Sequence, residues 1–249
     1  MSAGVNRFLD TEMVESPVTM TSVSGIHATP ISEFVLSLML MFVKQAPLCF
    51  QMKQAKQWGR FPPAVLRSKT VGIVGLGSIG REVARLAKAF GMRVLATRRS
   101  AKQIGRARYV DIMLPSNQLR QLLADSDFVV LALPLTPETS KLIGERELQT
   151  MKPTAYLINI ARGDIVDEVA LVRALDEHWI AGAGLDVFAT EPLPTDSRLW
   201  ELPNVILSSH IAGSMEDYTA RATEVFLENL RRYLDGKRLL NVVDKRKGY

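Results

Sequence analysis

The chain has 249 residues, of which 47% are hydrophobic and 23% charged, and a net charge of +5. This is a globular composition that excludes an intrinsically disordered chain. The longest apolar stretch, residues 34–43 broken only by Ser37, falls well short of the ~20 residues of a membrane helix, so no membrane partner is expected.

The N-terminus carries neither a basic start nor a small-residue cleavage site of the kind that marks a secretory leader. Cys49 is the single cysteine, so no internal disulfide is possible and a cytoplasmic setting is expected. Flanked by Leu48 and Phe50, it reads as a buried structural thiol. Arg98, Arg99, Lys102, Arg106 and Arg108 crowd into eleven residues, but no aromatic side chains interleave with them, which argues against a nucleic-acid partner. A nucleic-acid surface over 98–108 would require a strong, salt-dependent affinity for DNA or RNA and is the remotest reading.

In chain order, residues 18–23 have the pattern of one short strand. Thr29-Pro30 then reads as an N-cap followed by proline at the first helical position. Ile31, Phe34, Val35, Leu38, Met39 and Phe42 follow at helical spacing, with apolar residues on the other faces too, so this helix is expected to be buried in a core or a subunit interface. Residues 44–69 are more polar, contain Pro62-Pro63, and read as a connector.

From Thr70 onward, apolar β-rich runs alternate with helical patterns, which predicts a parallel sheet with crossover helices. The predicted strands are residues 70–74, 93–96, 128–133, 155–159, 184–187 and 205–207. Helices are predicted at about 145–151, 168–177 and 215–234, besides one carrying Val83, Ala84, Leu86, Ala87 and Phe90 and stopped at Gly91.

Gly75-Leu76-Gly77-Ser78-Ile79-Gly80 joins the first of these strands to that helix. A glycine triplet alone is a weak signal; between a strand and an amphipathic helix it is the dinucleotide-binding turn. Gly75 permits the tight turn, Gly77 the close approach of a pyrophosphate, and Gly80 the packing of helix on strand. The N–H groups of Ser78 and Ile79 then face the phosphates at the positive end of the helix. The fold class predicted is α/β, a Rossmann-type doubly wound parallel sheet.

An NAD-preferring site has an acidic residue closing the second strand, about 20 residues past the turn. Here Arg98, Arg99 and Ser100 stand there instead, suited by charge and bidentate geometry to a 2′-phosphate, so NADP is favoured. If these arginines are only surface charges, NAD serves equally.

Three loops follow the ends of the later strands, where ligands of doubly wound folds bind. They carry Arg162, Glu191 and His210. Beside a nicotinamide this set makes chemical sense: histidine can exchange the proton of an alcohol, a carboxylate can hold its tautomer, and arginine can grip a carboxylate with two hydrogen bonds. Each also has a structural reading, as a strand-end surface charge or a satisfied loop histidine. Of the other histidines, His178 reads as exposed and His27 only as preceding the Thr29-Pro30 cap.

These segments resemble the D-isomer-specific 2-hydroxyacid dehydrogenase family. The similarity runs through residues 71–80, Leu133-Pro134-Leu135-Thr136-Pro137-Glu138-Thr139, Met151-Lys152-Pro153 with residues 159–163, residues 184–194 and 210–213, and the ending from Asn229 to Val243. The resemblance implies that His210 is the acid/base, Glu191 its partner and Arg162 the substrate-binding and polarising residue. It implies Asp186 near the nicotinamide carboxamide, and Pro134, Thr139, Ala161 and Gly213 along the cofactor. It further implies a small 2-hydroxy or 2-keto acid substrate and a homodimer to which the helix of residues 31–43 contributes. No metal is implied.

The resemblance also sets an expectation about organisation. Members begin with a flavodoxin-like substrate domain, of which only the last part is matched here, so residues 1–43 and 219–249 are expected as its remnant around a dinucleotide-binding domain of residues 44–218. Residues 1–6 resemble the loop whose amides, around Ala3 and Gly4, bind the substrate carboxylate. The expectation is a start lying upstream or a fragment, with the remnant helix exposing apolar surface. The alternative to an enzyme is then an NAD(P)-binding fragment or regulator without turnover.

Overall fold

Val71, Ile73 and Val74 have no water-facing side and form a strand that is buried along its whole length, β1 (Thr70–Val74). The computed structural model describes Val5 and residues 8–247, and β1 lies at the centre of its eight-stranded sheet. The other strands are β2 (Arg93–Arg98), β3 (Gly105–Ala107), β4 (Val110–Pro115), β5 (Phe128–Leu131), β6 (Tyr156–Asn159), β7 (Gly182–Leu185) and β8 (Val205–Leu207). Their spatial order is β3-β4-β2-β1-β5-β6-β7-β8, and every pairing is parallel except the β3–β4 edge. The strand order reverses at β1, which has β2 on one side and β5 on the other, so a crevice opens beyond the carboxyl ends of β1 and β5. This is the doubly wound Rossmann sheet.

Two hydrophobic clusters cover the two faces. On one, α2 (Ala28–Val43) packs against α4 (Ser78–Ala89), with Val35, Met39, Val83 and Ala84 fully enclosed. On the other lie α5 (Leu119–Asp125), α6 (Glu145–Thr150) and α7 (Glu168–Asp176), around Leu122, Leu148, Leu171 and Leu175. Each fully enclosed aliphatic side chain contributes about 1.5–3 kcal/mol relative to exposure. Outside these layers are α1 (Thr11–Glu15), α3 (Ala46–Gln54) and α8 (Tyr218–Leu234).

The structure corrects several sequence expectations. The segment 18–23 contributes one isolated bridge, Thr21 to Val242, because its neighbour supplies no longer edge to pair with. Helix α2 begins at Ala28 with His27 at its N-cap, so Thr29 and Pro30 lie within the first turn, where a missing N–H is harmless. Its apolar face is not exposed; Phe42 stacks on Tyr156 at 4.3 Å, and Tyr156 on Phe128. The exposed apolar face belongs to α8, at Phe226, Leu230, Tyr233 and Leu234. Residues 44–69 contain the short helix α3, redirected by Gln45 in the left-handed region (φ 53°). That turn carries Cys49 outward, so the thiol is exposed, not buried. No single helix among the described residues is long and apolar enough to cross a membrane.

Candidate active site

The glycine turn sits at the carboxyl end of β1. Gly75 has φ 99°, and a Cβ there would come within 2.5 Å of the Ala132 carbonyl oxygen. A Cβ on Gly80 would come within 2.2 Å of the Gly75 carbonyl oxygen, which is what lets α4 start so close to the strand. Gly77, the N-cap of α4, differs: a Cβ there would meet nothing within 4 Å. The backbone at Gly77 therefore faces open cleft, followed by the first-turn N–H groups of Ser78 and Ile79, which have no partners within the helix. An open cradle at a positive helix end fits a dinucleotide pyrophosphate.

Arg98, Arg99 and Ser100 are exposed at the end of β2, beside that of β1. The adjoining loop turns back towards them. The Thr136 hydroxyl holds the Glu138 carboxyl below the usual carboxylate range, with a further contribution from the charge of Arg99. In the same loop the Thr139 hydroxyl donates to the Pro134 carbonyl (2.8 Å) and accepts from the Thr136 N–H (2.7 Å). Pro134 lines the cleft, and Thr139 supports its loop.

One cleft of about 1140 Å³ runs from Gly77 and Ser78 past Arg162 and Asp186 to Glu191 and His210. The structure thus brings the glycine turn and all three strand-end loops to one cavity. Ala161 and Gly213 also line it, as does Val5; Ala3 and Gly4 lie outside the described residues.

His210 is held in a left-handed conformation, φ 57°, which costs a non-glycine residue about 1–3 kcal/mol and persists only where the surroundings fix it. Here they do. Its N–H donates to the Asp186 carbonyl at 2.8 Å. The Asp186 carboxylate, 1% exposed, accepts from Ile211 N–H (2.9 Å), Ala212 N–H (3.0 Å) and the Ser208 hydroxyl (2.6 Å).

The imidazole Nδ1 of His210 lies 2.8 Å from Glu191 Oε2, and Glu191 Oε1 accepts from Phe188 N–H at 3.1 Å. Burial pushes the Glu191 carboxyl up, but the hydrogen bonds from His210 and Phe188 and the charges of His210 and Arg162 outweigh it, so its pKa lies below the ordinary value. An ionised Glu191 accepts the Nδ1 hydrogen and leaves Nε2 as the atom able to exchange a proton. Arg162, half-buried, follows β6, and its guanidinium donates to the Ala161 carbonyl at 2.6 Å.

Sequence reasoning missed two contributors. Asn159, 1% exposed at the end of β6, hydrogen-bonds on both sides of the Ala161–Arg162 peptide. His27 reaches the same cleft, donating from Nδ1 to the Gly213 carbonyl (2.9 Å) and stacking on Tyr218. The signal for Asn159 was its place at a predicted strand end; nothing in the local pattern pointed to His27.

The fold and cleft define a dinucleotide-binding oxidoreductase architecture. Comparison with known proteins narrows this. The model of the D-isomer specific 2-hydroxyacid dehydrogenase NAD binding domain matches residues 36–212. A glyoxylate reductase of Thermococcus gammatolerans is 38% identical over 243 residues, covering 94% of this chain and 72% of its own length. A D-isomer specific 2-hydroxyacid dehydrogenase of Xanthobacter autotrophicus Py2, solved with NADPH and MES, superposes with a TM-score of 0.87 at 34% identity, covering 99% of this chain and 100% of that one. An NADPH-dependent glyoxylate/hydroxypyruvate reductase of Sinorhizobium meliloti, solved with NADP and sulfate, gives 0.89 at 29% identity, covering 100% of this chain and 78% of that one. The chain belongs to the D-isomer specific 2-hydroxyacid dehydrogenase family, and so to the NAD(P)-dependent oxidoreductases.

Proposed function

We propose that the chain reduces small 2-keto acids such as glyoxylate or hydroxypyruvate to D-2-hydroxy acids, and catalyses the reverse oxidation. The observation that carries this is the His210–Glu191 pair at 2.8 Å, in the cleft that also holds Arg162 and the glycine turn. A nicotinamide cofactor held along the glycine turn would, when bound, supply the hydride for the keto carbon. His210 donates the Nε2 proton to the keto oxygen, and Glu191, kept ionised, stabilises the imidazolium that stands ready to do so. Arg162 binds the substrate carboxylate and draws charge from the carbonyl.

NADP is the proposed preference, supported by Arg98 and Arg99 at the end of β2 and by the NADP or NADPH bound to the two solved relatives. The contacts of Asp186, Pro134, Ala161 and Gly213 along the cofactor, and of residues near Ala3 and Gly4 with the substrate carboxylate, belong to the same proposal. A homodimer is part of it as well. It is supported by α3, which buries none of its own residues, and by Phe50 and Trp58, which are 58% and 93% exposed.

The test is NADPH oxidation by the purified chain across a panel of 2-keto acids, with glyoxylate and hydroxypyruvate included. Turnover on at least one supports the reading. NADPH binding without oxidation on any would replace it with that of a cofactor-binding regulator.

A further inference from the structure

Asn159 is buried, polar and assigned no part in the reaction, yet both ends of its amide are committed to the loop that carries Arg162. Its Nδ2 donates to the Arg162 carbonyl at 2.9 Å, and its Oδ1 accepts from the Ala161 N–H at 3.1 Å. These groups belong to the two peptides flanking the Ala161–Arg162 peptide. The carbonyl of that middle peptide is in turn the acceptor of the Arg162 guanidinium, at 2.6 Å. The orientation of the guanidinium thus rests on a peptide whose neighbours on both sides are held by one side chain.

The far side of the loop is fixed differently. Gly163 lies against the Phe188–Ala189 backbone so closely that a Cβ would come within 1.9 Å of the Phe188 carbonyl carbon. Phe188 is the residue whose N–H binds Glu191. Arg162 is therefore seated between a brace from β6 and a contact with the segment that holds the histidine's partner. Removing the brace leaves the buried Ala161 N–H without its acceptor unless the loop turns to find another. Any such turn carries the guanidinium with it.

We propose that Asn159 is a positioning residue for Arg162, setting the orientation in which the guanidinium meets a substrate carboxylate. This rests on the reading of Arg162 as the substrate-binding residue. Asn159 is buried behind the cleft and does not line it, so it acts through Arg162.

The experiment is a double-mutant cycle of N159A and R162A. Two quantities are measured: kcat/KM for glyoxylate at saturating NADPH, and the affinity of the NADP-loaded protein for oxalate, a carboxylate probe that cannot be reduced. N159A is expected to lower kcat/KM by about 100-fold, the usual penalty of a misplacement near 1 Å, and to weaken oxalate binding. NADPH affinity should stay unchanged, and N159A should cost nothing further once R162A is present. An equal loss in both backgrounds, or no loss in the wild-type background, overturns the proposal.

N159D retains the volume and the acceptor for Ala161 N–H but turns an oxygen on the Arg162 carbonyl, so the same loss is expected. It takes the place of N159A in the cycle if N159A no longer binds NADPH. If R162A alone leaves both kcat/KM and oxalate affinity intact, it is the role of Arg162 that fails. The oxalate arm decides the cycle even where glyoxylate is not turned over.

Discussion

The carboxylate of Asp186 carries the backbone of the loop that presents His210. Two consecutive N–H groups, of Ile211 and Ala212, and the Ser208 hydroxyl converge on it, while the Asp186 carbonyl takes the N–H of His210 itself. The left-handed turn at His210 is tolerated because a buried carboxylate on the adjacent strand end fixes the residues on both sides of it.

D186N should separate this brace from simple packing. The amide keeps the shape but presents N–H groups to donors, leaving at least one of the Ile211 and Ala212 N–H groups unpaired. Hydrogen bonds to a charged group are worth about 1.5–3 kcal/mol each. For a chain of this size, each kcal/mol lost lowers Tm by about 2–4 °C. The expected result in thermal unfolding and steady-state kinetics is a lower Tm together with a fall in kcat, because the imidazole loses its fixed orientation.

The pH dependence of the Glu191–His210 contact derives from the lowered carboxyl. A carboxylate whose pKa is lower in the folded than in the unfolded chain contributes stability that is fully present above the ordinary value of 4.5 and is lost as pH falls through the folded value. The Tm advantage of wild type over E191Q should therefore persist down to about pH 4.5 and be lost as pH falls further. A difference that vanished already between neutrality and pH 5 would contradict the assignment.

Two glycines of the same turn predict opposite phenotypes. G77V points a side chain into open cleft, so Tm should be retained while NADPH affinity falls by at least about tenfold, the equivalent of ~1.4 kcal/mol. G80A drives a methyl group into the Gly75 carbonyl, and overpacking of this kind costs about 1–3 kcal/mol. Its Tm should drop by several degrees. Calorimetry and fluorescence titration of NADPH distinguish them.

Replacing Arg98 and Arg99 together by alanine tests the cofactor preference. Charge-assisted, bidentate contacts to a phosphate are lost with the guanidinium groups. KM for NADPH should rise at least about tenfold while KM for NADH barely moves, since NADH has no 2′-phosphate. Equal effects on both cofactors would make the two arginines general surface charge.

The strands that could be read from sequence are the uninterrupted apolar runs, whether fully buried like Thr70–Val74 or half-buried like Val205–Leu207. Thr70–Val74 and Val205–Leu207 match their predicted bounds, and the glycine turn between β1 and α4 stands where strand and helix signals met. The pair β3 and β4 was not foreseen: Asp111 interrupts the apolar run, and only the folded chain shows its carboxylate accepting the Val94 N–H and pairing with Lys88. Helix α5, seven residues long, was not foreseen either.

Cys49 was misplaced because its burial depends on where the chain goes after the left-handed Gln45, not on its apolar neighbours. In the site, the three charged residues stood out by type and by their place after strands. The polar braces did not. Asn159 and Ser208 look ordinary until the backbone groups they hold are known, and His27 meets Gly213 only across 186 residues of chain.

Everything proposed for the reaction turns on His210 handling its proton, and H210A bears on that step alone. The measurement is kcat for NADPH-driven reduction of the best 2-keto acid in the panel, alongside the Kd of NADPH. General acid–base catalysis contributes about 10²–10⁴-fold, so kcat should fall within that range while the Kd of NADPH is unchanged. Turnover preserved in H210A, with cofactor bound as before, would remove His210 from the proton transfer.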